Sequence, residues 1–306
     1  MPRSDNLTGA LLMVGSMAAF TFNDAMIKGL SGHVPLFQAM FLRGVLTTAL
    51  VAGIAWRMGA LDRRLPREDL WPVFWRMVGE VGSAYFFISA LFNMPLANIS
   101  AIMQALPLTI TLAAALFFRD PVGWKRMAAI LAGFVGVMLI VRPGTEGFTI
   151  YSVYGLAAVA FVTLRDLSTR RLSRDVPSML VTLITSCAIM TFFGAASLTD
   201  DWVPMDGRAI ALVTGASVMV IGGYLCSIMV MRVGEISFIA PFRYTSLIWA
   251  LILGWVVFGD WPQTITLVGA AIVVASGLFT LYREAQVSRR ARAAQKRQLA
   301  LGPRPR

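Results

Sequence analysis

Arg43, Glu80 and Arg243 are charged residues set in long uncharged stretches. Residues 34–56 contain no other Asp, Glu, Lys or Arg than Arg43, and residues 236–259 contain none other than Arg243. If these stretches cross a membrane as helices, a charge near mid-depth costs roughly 2.5–3.5 kcal/mol even on lenient insertion scales. We therefore expect these side chains to face a cavity and bind polar groups of a small-molecule ligand, or, for Glu80, to carry a proton.

A structural alternative exists for the same residues. Arg76 lies one helical turn before Glu80, so the two side chains can pair on one helix face. Glu80 could equally pair with Arg43 as a buried strut between two helices. The sequence leaves the strut and the ligand-binding interpretations open.

Two acid–base pairs recur with the same spacing. Asp24 and Lys28 are spaced i, i+4, and so are Asp166 and Arg170. Residues with this spacing share a helix face, and an acid that precedes the base is the better orientation. One hypothesis is a simple ion pair at each helix end, with Lys28 extending its ammonium group to the membrane interface. The other is a pair of gates, one at each membrane face, that break alternately.

Amide, aromatic and proline residues form a further group within the apolar stretches. If Gln104, Tyr244 and the other members of this group faced one cavity, the rings could stack on a flat heteroaromatic ligand and the polar groups could hydrogen-bond it. Packing is the alternative for any single residue. The amide and aromatic members are Tyr85, Asn93, Gln104, Tyr224, Tyr244 and Trp249. Pro107 and Pro241 predict helix breaks, which mark binding sites in many transporters but also occur without function.

Patterns typical of catalysis or metal binding are absent from the sequence. The chain has two cysteines and one histidine, His33, and contains no CxxC, HExxH, Walker or GxSxG pattern. These counts predict no disulfide framework and no metal site. We therefore expect a protein that is not an enzyme and needs no cofactor.

Composition identifies the elements that must position these residues. Of the 306 residues, 57% are hydrophobic and 14% are charged, and the mean hydropathy is +0.70. A helix needs about 20 apolar residues to cross a hydrocarbon layer about 30 Å thick. The sequence predicts an all-α integral membrane protein with ten such helices, at residues 7–29, 35–56, 70–92, 96–118, 124–142, 150–168, 178–198, 208–231, 236–258 and 263–282.

The basic residues predict the orientation of these helices. Most of the 27 Lys and Arg residues fall in alternate connecting segments and in residues 283–306, and such residues are retained on the cytoplasmic side. Both termini are thus predicted to be cytoplasmic. The basic tail, residues 283–306, would contact anionic membrane lipid, with a partner-binding role as the alternative. The net charge of +11 does not indicate nucleic-acid binding, because no folded nucleic-acid module accompanies it.

An internal repeat relates the two halves of the chain. The segment TFNDAMIKGLSGHVP, residues 21–35, matches TLRDLSTRRLSRDVP, residues 163–177, with Asp24 over Asp166 and Lys28 facing Arg170. A second match places Asp120 over Asp260. We therefore predict two five-helix repeats, in residues 1–144 and 145–282.

Five is an odd number of membrane crossings, so the second repeat enters from the opposite side. The repeats are predicted to have inverted topology, which puts Asp24 and Asp166 near opposite membrane faces. Inverted repeats allow a site at their interface to open first to one side and then to the other.

Two long segments resemble a known family. They are APFRYTSLIWALILGWVVFGDWPQTITLVGAAIVVASGLF, residues 240–279, and ALPLTITLAAALFFRDPVGWKRMAAILAGFVGVMLIV, residues 105–141. With them, nearly the whole chain resembles the drug/metabolite transporter superfamily, specifically the bacterial ten-helix EamA type. Members typically have Glu where this chain has Asp120 and Asp260, which is a conservative difference.

The resemblance implies a basket of helices around a central cavity and transport of a small polar organic metabolite. The FTFNDAMIKGL and APFRYTSLIWA segments look most like the branch that takes up riboflavin and S-adenosylmethionine. We therefore expect a secondary transporter of the bacterial inner membrane, with riboflavin uptake as the leading function. S-adenosylmethionine uptake and amino-acid or amine export are the alternatives, and a membrane-embedded enzyme is a remote one. The sequence gives no indication of the oligomeric state.

Overall fold

The chain folds into a bundle of helices in which long apolar segments alternate with short connections. The structure, a computed structural model, describes residues 3–59, 65–120, 122–144, 148–173, 176–230, 233 and 236–300. The described elements are helical. They are α1 (Arg3–Lys28), α2 (Leu36–Arg57), α3 (Leu70–Asn93), α4 (Leu96–Met103), α5 (Leu106–Phe118), α6 (Trp124–Val141), α7 (Ile150–Arg170), α8 (Ser178–Ala196), α9 (Gly207–Val230), α10 (Ile236–Ile239), α11 (Thr245–Phe258) and α12 (Thr264–Ala300), with 3₁₀ turns at Arg67–Asp69, Ser197–Thr199 and Ala240–Tyr244.

Membrane-spanning character follows from length and composition. In the described part of the chain, 9 helical segments are long and apolar enough to cross a membrane. Lipid offers no partner for a backbone N–H or C=O group, and a helix satisfies these groups within itself. The segment predicted at residues 70–92 is present as α3, with 24 residues, but falls outside these 9 segments. The charges of Arg76 and Glu80 explain this, because they lower the hydropathy of α3.

Two of the segments are interrupted in mid-course. The first is interrupted at Gln104 and Ala105, between α4 and α5, and Pro107 stands in the first turn of α5. In the second, a 3₁₀ turn that contains Pro241 joins α10 to α11. Proline has no N–H group to donate to the preceding turn, so the proline at each interruption accounts for one helical hydrogen bond that cannot form there.

Helices from the first and second halves of the chain pack against one another in pairs. The four most extensive packing pairs are α1 with α9, α3 with α7, α2 with α8, and α6 with α12. Exchange of the two halves maps this set of pairs onto itself. Each half therefore builds its core against the other half, and the interior of the bundle is an interface between them.

The segments α5 and α11 end in the same way. Arg119 and Gly259 cap them in the left-handed conformation, with φ of 57° and 69°. The next amide then returns to the helix, from Asp120 to the Ala114 carbonyl at 3.5 Å and from Asp260 to the Gly254 carbonyl at 2.9 Å. The equivalence of Asp120 and Asp260 in the sequence thus has a counterpart in local backbone geometry.

The two ends of the bundle can be told apart by their contacts. We call the end that holds Asp69, Asp120 and Arg170 the tail end, because α1 begins and α12 runs out there. We call the end that holds Lys28, Met94 and Asp260 the far end. The last apolar span was predicted to stop at residue 282, but α12 continues without a break to Ala300. The ion pair of Glu284 with Arg126, at 3.1 Å, ties this extension to α6.

Candidate functional site

Glu80 is the centre of a buried group of charges. It is 8% exposed, and its carboxylate contacts Arg76 at 3.7 Å on its own helix and Arg165 at 3.5 Å on α7. The predicted one-turn pair with Arg76 is present, whereas the predicted strut with Arg43 is not formed among the described residues. Arg165 takes that position because α3 packs on α7 rather than on α2 at this level.

Close packing of α3 and α7 brings these charges together. Gly79 lies directly before Glu80, and a Cβ atom at this position would lie 2.7 Å from the backbone nitrogen of Arg165. Only glycine permits this approach, because real Cβ atoms do not come so close to a neighbouring backbone. The small residue therefore sets the helix separation that lets Glu80 reach Arg165.

Arg165 continues the group of charges to Asp166. Its Nε donates to the Asp166 carboxylate at 2.8 Å, and Arg76 donates to Thr169 on the same helix. The predicted i, i+4 pair of Asp166 with Arg170 is therefore wrong for this structure. The neighbouring guanidinium of Arg165 reaches the carboxylate first.

Arg43 differs from the other interior arginines. One of its guanidinium nitrogens makes a weak contact with the Met40 sulfur at 3.8 Å, and its Nε is buried without a partner. Asp24, Glu80 and Tyr224 lie within electrostatic range but not at ion-pair distance. Within the described part of the chain, Arg43 is thus a partly buried cation without a bound anion.

The interior charges alternate in sign along the bundle. We call Asp24, Arg43, Glu80, Arg165 and Asp166 the charge chain. Three members come from α1, α2 and α3 of the first half, and two come from α7 of the second half. The chain begins and ends at the two aspartates that the repeat makes equivalent.

Tyr224 of α9 borders the charge chain from another side. Its hydroxyl lies within electrostatic range of Glu80, Arg165 and Arg43, and its ring meets Phe20 edge-on with centroids 5.3 Å apart. Tyr224 is nevertheless 39% exposed, and the side chains of Arg165 and Asp166 keep 25% and 33% exposure. The charge chain therefore borders accessible space rather than dry packing.

Lys28 binds carbonyl oxygens instead of Asp24. Its ammonium group donates to the Leu91 and Met94 carbonyls at 3.1 Å and 2.8 Å, at the carboxyl-terminal end of α3. The last carbonyls of a helix lack intrahelical partners and carry partial negative charge, so a cation is favourable there. Asp24 instead accepts a hydrogen bond from Asn23 at 2.8 Å. The predicted Asp24–Lys28 pair is thus not formed between these two described residues.

Arg170 pairs with an aspartate of the other half of the chain. Its guanidinium lies 2.7 Å from the Asp120 carboxylate and 4.9 Å from the centroid of the Phe118 ring. In this structure Lys28 and Arg170 therefore bind acceptors outside their own helices, because helix packing supplies a nearer acceptor than the same helix does. The gate hypothesis stays a prediction.

The residues around the two helix breaks form a separate group. Gln104 donates to the Ser246 hydroxyl at 2.8 Å, which joins the breaks, and this hydroxyl donates to the Arg243 carbonyl at 3.1 Å. Arg243 is partly exposed. Tyr244 is 6% exposed, and its hydroxyl faces Gly277 of α12. In this structure Tyr244 is therefore packed against α12, and its role in ligand binding stays a prediction.

The sequence interpretation missed Arg165, and it did not place Asp69 or the aspartates after α5 and α11 in any site. Arg165 was assigned to a connecting segment because it lies near the end of its span. For Asp120 and Asp260 the sequence did hold a usable signal. The repeat aligns these two acids with each other at one pair of helix ends, and it aligns Lys28 with Arg170 at another pair. Asp69 is 2% exposed and accepts a hydrogen bond from the Ser173 hydroxyl at 2.6 Å.

In the described residues, no group of three or more His, Cys, Asp and Glu side chains could hold a metal ion.

Comparison with known proteins agrees with this arrangement. The profile of the EamA-like transporter family matches the chain twice, over residues 7–142 and 149–282. A solved crystal structure aligns with a TM-score of 0.64 at 20% identity, and the alignment covers 91% of this chain and 98% of that one. At that identity the likeness shows the fold alone.

Curated relatives span nearly the full length. A riboflavin transporter of Vibrio cholerae is 26% identical over 94% of this chain and 97% of its own length. An S-adenosylmethionine uptake transporter of Rickettsia felis is 24% identical, with 91% and 94% covered. A pseudopaline exporter of Pseudomonas aeruginosa is 25% identical, with 88% and 94% covered. The two profile matches include most of the sequence, so this chain belongs to the EamA-like transporter family, as the resemblance had indicated.

Proposed function

We propose that this protein is a secondary active transporter that moves a small polar organic metabolite across the bacterial inner membrane by alternating access. The observation that carries the proposal is the charge chain, which crosses the interior between the two halves. Charges inside a membrane bundle are expensive and typically mark substrate or ion pathways. We further propose that the halves are inverted five-helix repeats and that both termini are cytoplasmic.

Within the charge chain, we propose Arg43 and Glu80 for different roles. Arg43 carries a guanidinium with unused donors, so it suits an acceptor group of the substrate, such as a carbonyl or carboxylate oxygen. Glu80 is already held by Arg76 and Arg165, at 3.7 Å and 3.5 Å. Glu80 therefore suits a role in which the substrate or a proton competes with these two arginines for its carboxylate.

Riboflavin is our leading candidate for the substrate, and import is our leading candidate for the direction of transport. Support comes from the riboflavin transporter of V. cholerae and from Tyr224, whose partly exposed ring could stack on a flat heteroaromatic group. S-adenosylmethionine is the second candidate, supported by the R. felis relative and by its carboxylate, which matches Arg43. Export of an amino-acid or amine metabolite is the third candidate, and the pseudopaline exporter among the relatives supports export as the direction.

The test is transport of a labelled panel by cells that lack their own carriers. Riboflavin, S-adenosylmethionine and amino acids are supplied in uptake and export formats. We expect accumulation of one panel member and its loss, by at least about tenfold, in Arg43→Gln and Glu80→Gln. Arg208→Gln, a change at an exposed arginine of α9, is the matched control and should transport normally.

Near-normal uptake by correctly inserted Arg43→Gln and Glu80→Gln variants would show that the charge chain is not part of the substrate path. Arg243→Ala tests the helix-break group separately. If the panel shows no transport but the purified protein hydrolyses or modifies a substrate, the alternative of a membrane-embedded enzyme replaces the transporter.

A further inference from the structure

We infer that Lys28 and Arg170 are partner-exchanging latches, and that Asp120 and Asp260 are their alternate acceptors. In this structure Arg170 holds Asp120 at the tail end, while Lys28 at the far end holds the carboxyl-terminal carbonyls of α3. In the opposite conformation Lys28 pairs with Asp260, and Arg170 moves to the carboxyl-terminal end of α9. This inference rests on the proposed alternating access and names the residues that would set its two states.

The acids and bases of the two ends correspond residue by residue. Lys28 and Arg170 occupy matching places in the repeated segments, and Asp120 and Asp260 follow matching left-handed helix caps. Each base at the end of α1 or α7 thus comes from one half, and its acid after α5 or α11 comes from the other half. The predicted within-helix pairs lack this property.

An aromatic ring marks the same correspondence. Arg170 lies 4.9 Å from the centroid of Phe118, and Lys28 lies 5.5 Å from the centroid of Phe258. Both rings are the last residues of their helices, α5 and α11. Each base therefore already rests on the helix end that precedes its acid, and a cation over a ring is attracted to it.

The two ends differ in which acceptor is engaged. At the tail end the ion pair is formed at 2.7 Å. At the far end Asp260 lies within electrostatic range of Lys28, but the ammonium group instead donates to Leu91 and Met94 at 3.1 Å and 2.8 Å. Equivalent residues at the two ends therefore bind different acceptors. This difference is expected if the two halves of the chain exchange conformations during transport.

Opposite effects of two matched substitutions test the inference. Asp120→Asn removes the acceptor that is engaged here, and Asp260→Asn removes the acceptor of the other state. The reporter is Tyr224→Cys in a chain that also carries Cys187→Ser and Cys226→Ser. Its labelling by a membrane-impermeant maleimide is measured in right-side-out and inside-out membrane vesicles.

We expect the ratio of labelling from the two faces to shift about two- to fivefold in one direction for Asp120→Asn and in the reverse direction for Asp260→Asn, the size expected for an exposed ion pair. Asp201→Asn, at an exposed far-end residue, should leave the ratio unchanged. Combining Asp120→Arg with Arg170→Asp should return the ratio toward that of the unaltered pair. Asp120→Ser removes the same acceptor and tests the tail-end latch if Asp120→Asn fails to insert.

Shifts in the same direction, or no shift in either variant, would overturn the latches. That result is distinguishable from failure of the proposed function, because transport by the Cys187→Ser, Cys226→Ser chain without the reporter is measured in parallel. A chain that transports its substrate but shows no opposite shifts keeps the function and loses the latches.

Discussion

The tail end and the far end hold equivalent donors on chemically different acceptors. At the tail end, Arg170 and Ser173 donate to the carboxylates of Asp120 and Asp69, at 2.7 Å and 2.6 Å. At the far end, Lys28 and Ser31 donate to main-chain carbonyls at the end of α3. The repeat fixes the donors, but the packing of the partner helix decides the acceptors.

The same asymmetry extends into the interior. Toward the tail end, Arg76 and Arg165 converge on Glu80, and Arg165 also holds Asp166. Toward the far end, Arg43 and Asp24 are within electrostatic range without forming an ion pair. One side of the interior is therefore cross-linked by ion pairs, and on the other side Arg43 retains unused donors.

The largest effect should come from Glu80→Gln, which removes the acid from the ion-paired side. Loss of one partner from a buried pair costs about 3–5 kcal/mol, and partial solvation of Arg165 places this case at about 3 kcal/mol. We expect a clear fall in Tm in detergent micelles. Glu68→Gln, at an exposed glutamate of the turn before α3, should leave Tm unchanged. Equal Tm values for the two variants would mean that these ion pairs do not stabilise the bundle.

Asp69→Ala compared with Ser31→Ala measures the difference between the two acceptor types. Asp69 is buried and accepts hydrogen bonds from both the amide and the hydroxyl of Ser173, at 2.9 Å and 2.6 Å. Hydrogen bonds to charged groups contribute about 1.5–3 kcal/mol, and neutral ones about 0.5–1.5 kcal/mol. Asp69→Ala should therefore lower Tm more than Ser31→Ala does. The reverse order would show that the carboxylate contacts at the tail end are not the stronger ones.

Arg165→Gln and Arg43→Gln separate a structural cation from a ligand-binding one. Arg165→Gln leaves Glu80 with Arg76 alone and deprives Asp166 of its partner, so we expect about 1–2 kcal/mol of destabilisation, less than for a fully buried pair. Arg43→Gln breaks no ion pair in the described structure and should stay within about 0.5 kcal/mol of the unaltered protein. Thermal unfolding in micelles gives both values. A large stability loss in Arg43→Gln would indicate a structural role for this side chain.

The smallest effects should come from Phe118→Leu and Phe258→Leu. Phe118→Leu removes the contacts of Arg170 and Arg171 with the ring, and Phe258→Leu removes that of Lys28. A cation–π contact is worth about 0.5–1 kcal/mol at exposed sites, and leucine keeps an apolar side chain of similar size. The rings lie at 4.9 Å from Arg170 and 5.5 Å from Lys28, so Phe118→Leu should lower Tm slightly more. Salt titration checks the assignment, because high salt should reduce the difference between each variant and the unaltered protein.

The amino-acid sequence by itself determined the class of protein and the main candidates. Apolar stretches of membrane-spanning length predict helices regardless of tertiary contacts, since lipid leaves the backbone no other way to satisfy its hydrogen bonds. The segments at 21–35 and 163–177 predicted the repeat because they are identical at six positions, including Asp24 over Asp166. Charges such as those of Arg43 and Glu80 were identified because placing a charge inside a membrane costs free energy whichever way the side chain is oriented.

Only the tertiary structure decided which charges meet. Local spacing favoured Asp24 with Lys28 and Asp166 with Arg170, yet the bases bind acceptors on α3 and after α5. The close approach at Gly79 joins Glu80 to Arg165, and no sequence period reports the distance between two helices. Partners across a helix interface depend on how the halves pack. The sequence therefore determines which residues are charged, and the packing determines which of them are paired and which remain free to bind.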